Sequence, residues 1–291
     1  MASKGEVNVI ACEACGFAHI IPLPGQERLK QFYEAEFYQT EKTEYLSMDA
    51  DEKSWRALEF EARYEFAERH IGRTDRSVLD VGCGPGDFLQ TGQRRGWKVM
   101  GVEPSPAASK FACDQGLNVK TGFFGPEILP TLGQFDFIHM SEVLEHVADP
   151  SEVVSNASKL LRPGGVICIS VPNDFNDFQD TFVKHSKGDE WWVVPDHHLN
   201  YFSFDTLEHL LVDQGLELLE RTTNFPMELF LLMGLDYTVD STLGSKLHRW
   251  RKNLDRRMAE TDALRQNFYN ALARANLGRL AIIFARKKDA P

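Results

Sequence analysis

Val78-Leu-Asp-Val-Gly-Cys-Gly-Pro-Gly-Asp-Phe-Leu89 decides the fold. Val78 to Val81 is a short apolar run of the kind that forms a buried strand. Gly82, Gly84 and Gly86 follow at alternate positions, and Phe88-Leu89 opens a helical pattern. Strand, glycine turn and helix start in that order let a ligand approach bare backbone. Asp80 stands at the strand's end, where a carboxylate can meet a cationic group on that ligand. The next strand, Lys98-Val-Met-Gly-Val-Glu103, ends in an acid 17 residues beyond Gly86. An acid there can accept both hydroxyl hydrogens of a ribose.

Working outward, strands are predicted at 77–82, 98–103, 117–121, 135–140 and 165–171. Helices are predicted at 86–95, 106–115, 151–161 and 204–214. This alternation specifies a parallel sheet covered on both faces, with right-handed crossovers. Pro163-Gly164-Gly165 is a tight turn into the fifth strand, and 216–223 and 280–285 supply a sixth and a seventh. Upstream, helical spacing covers 26–39 and 51–71, with Gly72 as a C-cap.

Two further stretches, Phe135-Asp-Phe-Ile-His-Met-Ser-Glu-Val-Leu-Glu-His-Val147 and Leu160-Leu-Arg-Pro-Gly-Gly-Val-Ile-Cys-Ile169, complete a set of three signatures. In that order they resemble the class I S-adenosylmethionine-dependent methyltransferases, over roughly residues 73–224 and a last strand near the C-terminus. The resemblance implies a Rossmann-like, seven-stranded, mostly parallel sheet in three α/β/α layers, its last two strands an antiparallel edge. Residues 1–72 become an N-terminal helical cap with a C-x-x-C remnant. Residues 73–291 become the methyltransferase domain, with substrate or lid insertions at 172–202 and 224–278. The methyl donor is then S-adenosyl-L-methionine. Gly82, Cys83, Gly84 and Gly86 face its methionine part, and Asp80 lies near its amino group. Glu103 takes the ribose hydroxyls, Pro104-Ser105 flank the adenine, and Phe123-Phe124 after the third strand contact the adenine ring. Met140-Ser141 lie under the methionine. Tyr38 and Tyr45, in the cap, offer aromatic faces to the sulfonium; docking of the cap onto the core is the plainer reading. Core packing is the equal alternative for Phe123 and Phe124.

An NAD-dependent oxidoreductase would share the glycine loop and Glu103, but the G-x-G-x-G spacing and the two later signatures disfavour it. A binding protein that has lost its chemistry would not need Asp80, the three glycines and Glu103 together. Methyl transfer needs no nucleophilic side chain, so orientation and desolvation carry most of the work. The expected acceptor is a hydroxyl on a small-molecule or glycan-type compound, with nitrogen and carbon as alternatives. The aromatic-rich insertion 172–202 suits a ring-bearing acceptor. A hydroxyl needs a base, and His146, His185, His197 and His198 are the candidates. Glu142-x-x-Glu145-His146 with His198 also resembles the metal site of small-RNA 2′-O-methyltransferases and ubiquinone-pathway O-methyltransferases. Carried over, Glu142, Glu145, His146 and His198 would hold Mg, Mn or Zn. In many members of the superfamily Glu145 and His146 only fix the loop, and both readings stay open.

Composition narrows the partners. A net charge of −11 argues against non-specific binding to nucleic acid or anionic membranes. Five cysteines, several in expected core elements, suggest a reducing compartment. Residues 2–21 show no signal peptide, and Phe225–Leu235 is too short to span a bilayer, so a cytoplasmic protein is expected. Cys12-Glu-Ala-Cys15-Gly16 looks like half a zinc ribbon, such as related methyltransferases carry in full. With no second C-x-x-C, it reads as a turn with two thiols, and zinc is the alternative. The basic set Lys246, Arg249, Arg251, Lys252, Arg256 and Arg257 reads as a solvated helix face, with phosphate binding as the alternative.

Overall fold

The computed structural model describes residues 1–5, 7–32, 48–186, 190–261 and 263–288. The strands, in chain order, are β1 (Ala2–Lys4), β2 (Val7–Ala11), β3 (Ala18–Ile21), β4 (Ser77–Val81), β5 (Lys98–Glu103), β6 (Val119–Thr121), β7 (Phe135–Ser141), β8 (Leu161–Pro172), β9 (Asn200–Tyr201), β10 (Leu216–Thr222) and β11 (Leu280–Lys287). The helices are α1 (Gln26–Gln31), α2 (Ala50–His70), α3 (Asp87–Arg94), α4 (Pro106–Asp114), α5 (Pro150–Leu160), α6 (Asp177–Ser186), α7 (Phe204–Asp213), α8 (Glu228–Leu232), α9 (Ser241–Ala259) and α10 (Leu264–Arg274). Among the described residues no helix is long and apolar enough to cross a membrane.

The main sheet has the order β10-β11-β8-β7-β4-β5-β6. All neighbours among β8, β7, β4, β5 and β6 are parallel, as the alternation requires. β11 is antiparallel to both β10 and β8. The expected antiparallel edge is therefore a single reversed strand set inside the sheet. The cause is burial: Leu280 to Ala285 is buried throughout, whereas Glu217 and Leu218 on β10 face solvent and suit an edge. β8 begins at Leu161, earlier than expected. Its pairing jumps from Phe135↔Leu161 to Phe137↔Val166, so Arg162–Gly165 bulge out as the anticipated turn.

Alternate residues feed the two faces. Leu79 and Ile138 join one core with Leu144, Phe204 and Leu207, while Val78 and Phe137 join the other with Tyr64, Phe88 and Trp97. α2 lies on the second face, where the Tyr64 ring stacks on Phe88 at 4.5 Å. α2 ends at His70 with Ile71 extended, so Gly72 is not its left-handed cap.

The helix expected at 51–71 is α2, and ahead of it the chain adds strands that the sequence reading did not assign. β1, β2 and β3 form an antiparallel sheet whose fourth strand is β9, from the 172–202 insertion. Val9, Ile20, Trp192, Leu199 and Tyr201 make its core. The expected solvated face on α9 is also corrected in part. Lys252 bonds to Asp51 at 2.6 Å and Glu52 at 3.0 Å, and Arg256 to Asp51 at 2.6 Å, at the start of α2. Arg251 lies over the Trp55 ring at 4.4 Å.

Candidate active site

The glycine loop leaves the carboxyl end of β4. Gly82, Gly84 and Gly86 adopt φ of +69°, +53° and +90°, a region that side chains with a Cβ avoid. The loop is tied to β5: Gly82 N–H donates to the Val102 carbonyl at 2.8 Å. Gly84 N–H donates to Glu103 Oε2 at 2.8 Å, and Ser105 N–H to Oε1 at 2.9 Å. Burial pushes the Glu103 carboxyl up to about 7 against these two N–H groups. Ser105 also caps α4 through Ala108 N–H.

Beneath the loop lies a polar chain that sequence reading missed. His139 Nδ1 bonds to Asp80 Oδ1 at 2.6 Å, and the Phe88 ring stacks on the imidazole at 3.7 Å. Arg63 of α2 contacts His139 Nε2 and Glu59, and donates to Ser170 Oγ at 3.3 Å. Burial, then the Arg63 charge, holds His139 well below its ordinary range, so it is neutral with Nδ1–H toward Asp80. Burial raises Asp80, and Arg63 opposes it. A histidine within the apolar run Phe135–Met140 was the available signal. Its partners on α2 lie 76 residues away and left none.

A cavity of about 80 Å³ is lined by Asp80, Gly82, Cys83, Gly84, His139, Ser141 and His146, among others. A second cavity of about 520 Å³ sits beside it, and the two share Arg56, Phe60, Ser141 and Glu142. The larger one draws on α2 (Glu52, Trp55, Glu59), on the 172–202 insertion (Asp174, Gln179, Trp191, Trp192, His198) and on Asn224, Glu228 and Arg251. Trp192 Nε1, Asp174 Oδ2, Asn224 Oδ1, Glu228 Oε2 and Arg251 Nε are buried with no hydrogen-bond partner among the described residues. Burial pushes Asp174 up to about 8, against Arg279.

At the junction of the cavities three imidazoles gather. The His146 and His198 rings are 5.0 Å apart, and His197 and His198 are 4.8 Å apart. Leu199 N–H donates to the Glu145 carbonyl at 2.7 Å. Asn200 Nδ2 donates to the Leu144 and Val147 carbonyls at 2.9 and 2.7 Å. These bonds pin the later loop onto the earlier turn. Glu145, His146 and His198 present ligand atoms within 4.8 Å of one another. Glu142 stands outside that trio, on the wall between the cavities, in a left-handed conformation at φ +57°. Such strain in a non-glycine residue concentrates at functional sites.

Other anticipated residues fall elsewhere. His185 sits on the exposed end of α6, bonded to the Thr181 carbonyl at 2.8 Å, and lines neither cavity. The Met140 side chain is wholly buried in the core, and its neighbour Ser141 faces the cavity. Phe123 is 39% exposed, and Phe124 packs on the core. Glu103, Pro104 and Ser105 are not among the residues that line the small cavity. Tyr38 and Tyr45 lie outside the described residues.

A doubly covered sheet in this order, with a glycine loop after its central strand and an acid after the next, defines the class I S-adenosylmethionine-dependent methyltransferase domain. The family described as "Methyltransferase domain" matches residues 53–221. The chain belongs to that methyltransferase family, which sets aside the NAD-dependent oxidoreductase. The ubiquinone biosynthesis O-methyltransferase of Nitrosococcus oceani is 35% identical over 117 residues, 38% of this chain and 50% of the relative. The protein of the same name from Coxiella burnetii is 36% identical over 127 residues, 42% of this chain and 54% of the relative. The chain thus spans about half the length of the curated relatives it matches. A plantazolicin methyltransferase solved with S-adenosylhomocysteine aligns over 90% of this chain and 96% of its own, at 17% identity and a TM-score of 0.54. Magnesium protoporphyrin IX methyltransferase from Synechocystis covers 91% and 100%, at 11% identity and a TM-score of 0.54. These two likenesses concern the fold.

Proposed function

We propose that the chain moves a methyl group from S-adenosylmethionine to a hydroxyl oxygen of a small-molecule or glycan-type acceptor. The observation that carries this reading is the shared wall of the two cavities. Asp80 and the glycine loop would hold the donor, and Ser141 and Glu142, which line both cavities, would lie where it meets an acceptor in the larger chamber. The donor would supply an electrophilic methyl: its carbon–sulfur bond would break as the carbon–oxygen bond forms, its sulfur would become a neutral thioether, and the hydroxyl proton would pass to a base. His146 and His198 flank that meeting point. His146 Nδ1 lies 2.8 Å from the His197 carbonyl, so it carries the hydrogen, and Nε2 is the basic nitrogen. The chamber's Asp174, Asn224 and Glu228 oxygens suit an acceptor with several hydroxyl donors, and Trp191 and Trp192 suit a ring face. The matched relatives named as O-methyltransferases favour oxygen over nitrogen or carbon.

Glu145, His146 and His198 form a donor set that fits a borderline divalent cation, with His146 oriented by a backbone carbonyl as metal-bound imidazoles are. When bound there, the ion would acidify an acceptor hydroxyl. Of the anticipated ligand set, Glu142 is the member left out of that group.

The test begins with the donor. At a hundred times its dissociation constant, S-adenosylhomocysteine should stabilise the protein by about 2.7 kcal/mol, a melting shift of about 4 °C, and NAD should give none. Radiolabelled transfer to vicinal-diol and catechol acceptors should then follow. A shift with NAD alone, or label recovered only on amines, would overturn the reading.

A further inference from the structure

The hairpin that opens the chain carries side chains the proposed reaction does not use. Cys12 and Cys15 lie on the turn between β2 and β3, and His19 stands on β3. Pairing of Ile10 with His19 and of Ala11 with Ala18 brings the imidazole back over the turn. The two sulfurs and a ring nitrogen then lie within 4.8 Å of one another. The turn is already wound as a metal knuckle. Cys15 N–H points at Cys12 Sγ at 3.4 Å, Gly16 N–H donates to the Cys12 carbonyl at 2.9 Å, and Gly16 turns the chain at φ +76°.

We propose that Cys12, Cys15 and His19 bind a zinc ion, with the fourth position open to solvent. Two soft thiolates and an imidazole suit zinc and exclude hard cations such as Mg or Ca. The sequence alone supplied two ligands; the third appears only through the strand pairing. The ion would have a structural consequence at a distance. His19 also pairs with Asn200 on β9, and Ile20 N–H donates to the Leu199 carbonyl at 2.9 Å. Asn200 is the residue that holds the turn bearing Glu145 and His146. A clamped hairpin therefore steadies the strand on which the His197–His198 loop leans.

The full chain, purified under reducing conditions, would be loaded with zinc or with cobalt alone and dialysed. Cobalt should give a thiolate-to-metal charge-transfer band in the near ultraviolet, lost in Cys12→Ser and Cys15→Ser and weakened in His19→Ala. The Glu145, His146 and His198 group contains no sulfur, so this band reports the hairpin alone. A second reading needs no variant. Zinc should slow alkylation of Cys12 and Cys15 on the order of tenfold, because the bound thiolate is no longer a free nucleophile. Exposed Cys113 is the internal reference and should react at an unchanged rate. No charge-transfer band with unprotected thiols would overturn the proposal. So would alkylation of Cys12 and Cys15 that zinc leaves unslowed.

Discussion

Replacing Arg63 with Met tests whether the polar chain under the glycine loop is structural. Arg63 is 3% exposed and satisfies three groups at once: His139 Nε2, Glu59 and Ser170. Its removal leaves a buried imidazole acceptor unmet, which costs about 1–3 kcal/mol. The Glu59 side chain is 23% exposed toward the chamber, so water softens the loss of its partner. Together the cost should be about 3 kcal/mol. For 291 residues that lowers the melting temperature by about 5 °C. The double variant Glu59→Gln with Arg63→Met should recover about a third of it, since the stranded carboxylate is gone. The pH profile gives an independent reading. In the wild type His139 is held neutral, so the unfolded chain binds the extra proton and stability falls as pH drops through 6.5. Without the guanidinium, His139 can protonate beside Asp80, and that acid-side loss should shrink. Scanning calorimetry between pH 5 and 8 measures both. A single variant within 1 °C of wild type, or one that loses more stability in acid than the wild type does, would refute the reasoning.

Other perturbations follow from single contacts. Asp174 takes up protons on folding, because burial raises it from 3.8 to about 8, so its contribution to stability declines as pH rises across that window. Asp174→Asn should flatten that decline in calorimetry; an unchanged slope would place the group in water. A Cβ on Gly92 would lie 2.2 Å from Tyr64 Oη, so Gly92→Ala should cost about 2 kcal/mol although alanine favours helices. Urea unfolding decides it, and a stabilised variant would contradict the packing. Trp55→Phe removes a 2.7 Å bond to buried Asp255 and should lower urea stability by about 1–2 kcal/mol; an unchanged midpoint would mean that water replaces the indole.

The sheet was legible because most core strands are apolar runs bounded by glycine or proline, and α4, α5 and α7 carry side-chain caps at Ser105, Asp149 and Ser203. β5 falls on Lys98–Glu103 as read, and most other boundaries within two residues. The N-terminal sheet was not legible. Its strands are three to five residues long, and its partner β9 has two. Neither length produces a periodic signal, and the two lie some 180 residues apart. Within the site, glycine spacing exposed the loop, but both faces of β7 are buried, so alternation could not say that Ser141 rather than Met140 meets the cavity. The Arg63–His139 contact and the Asn200 bracket depend on tertiary pairing alone.

The ion pairs between α9 and α2 have a kinetic consequence. Lys252 and His248 share Glu52, Lys252 and Arg256 share Asp51, and of these Glu52 lines the large chamber with Trp55 and Arg251. Several of the charges are half-wet, so dissolved ions screen them over about 8 Å at physiological strength. The contact between α9 and α2 beside the chamber is thus sensitive to electrolyte. With the acceptor in this chamber as proposed, raising salt should quicken its exchange and leave donor affinity at the glycine loop nearly unchanged.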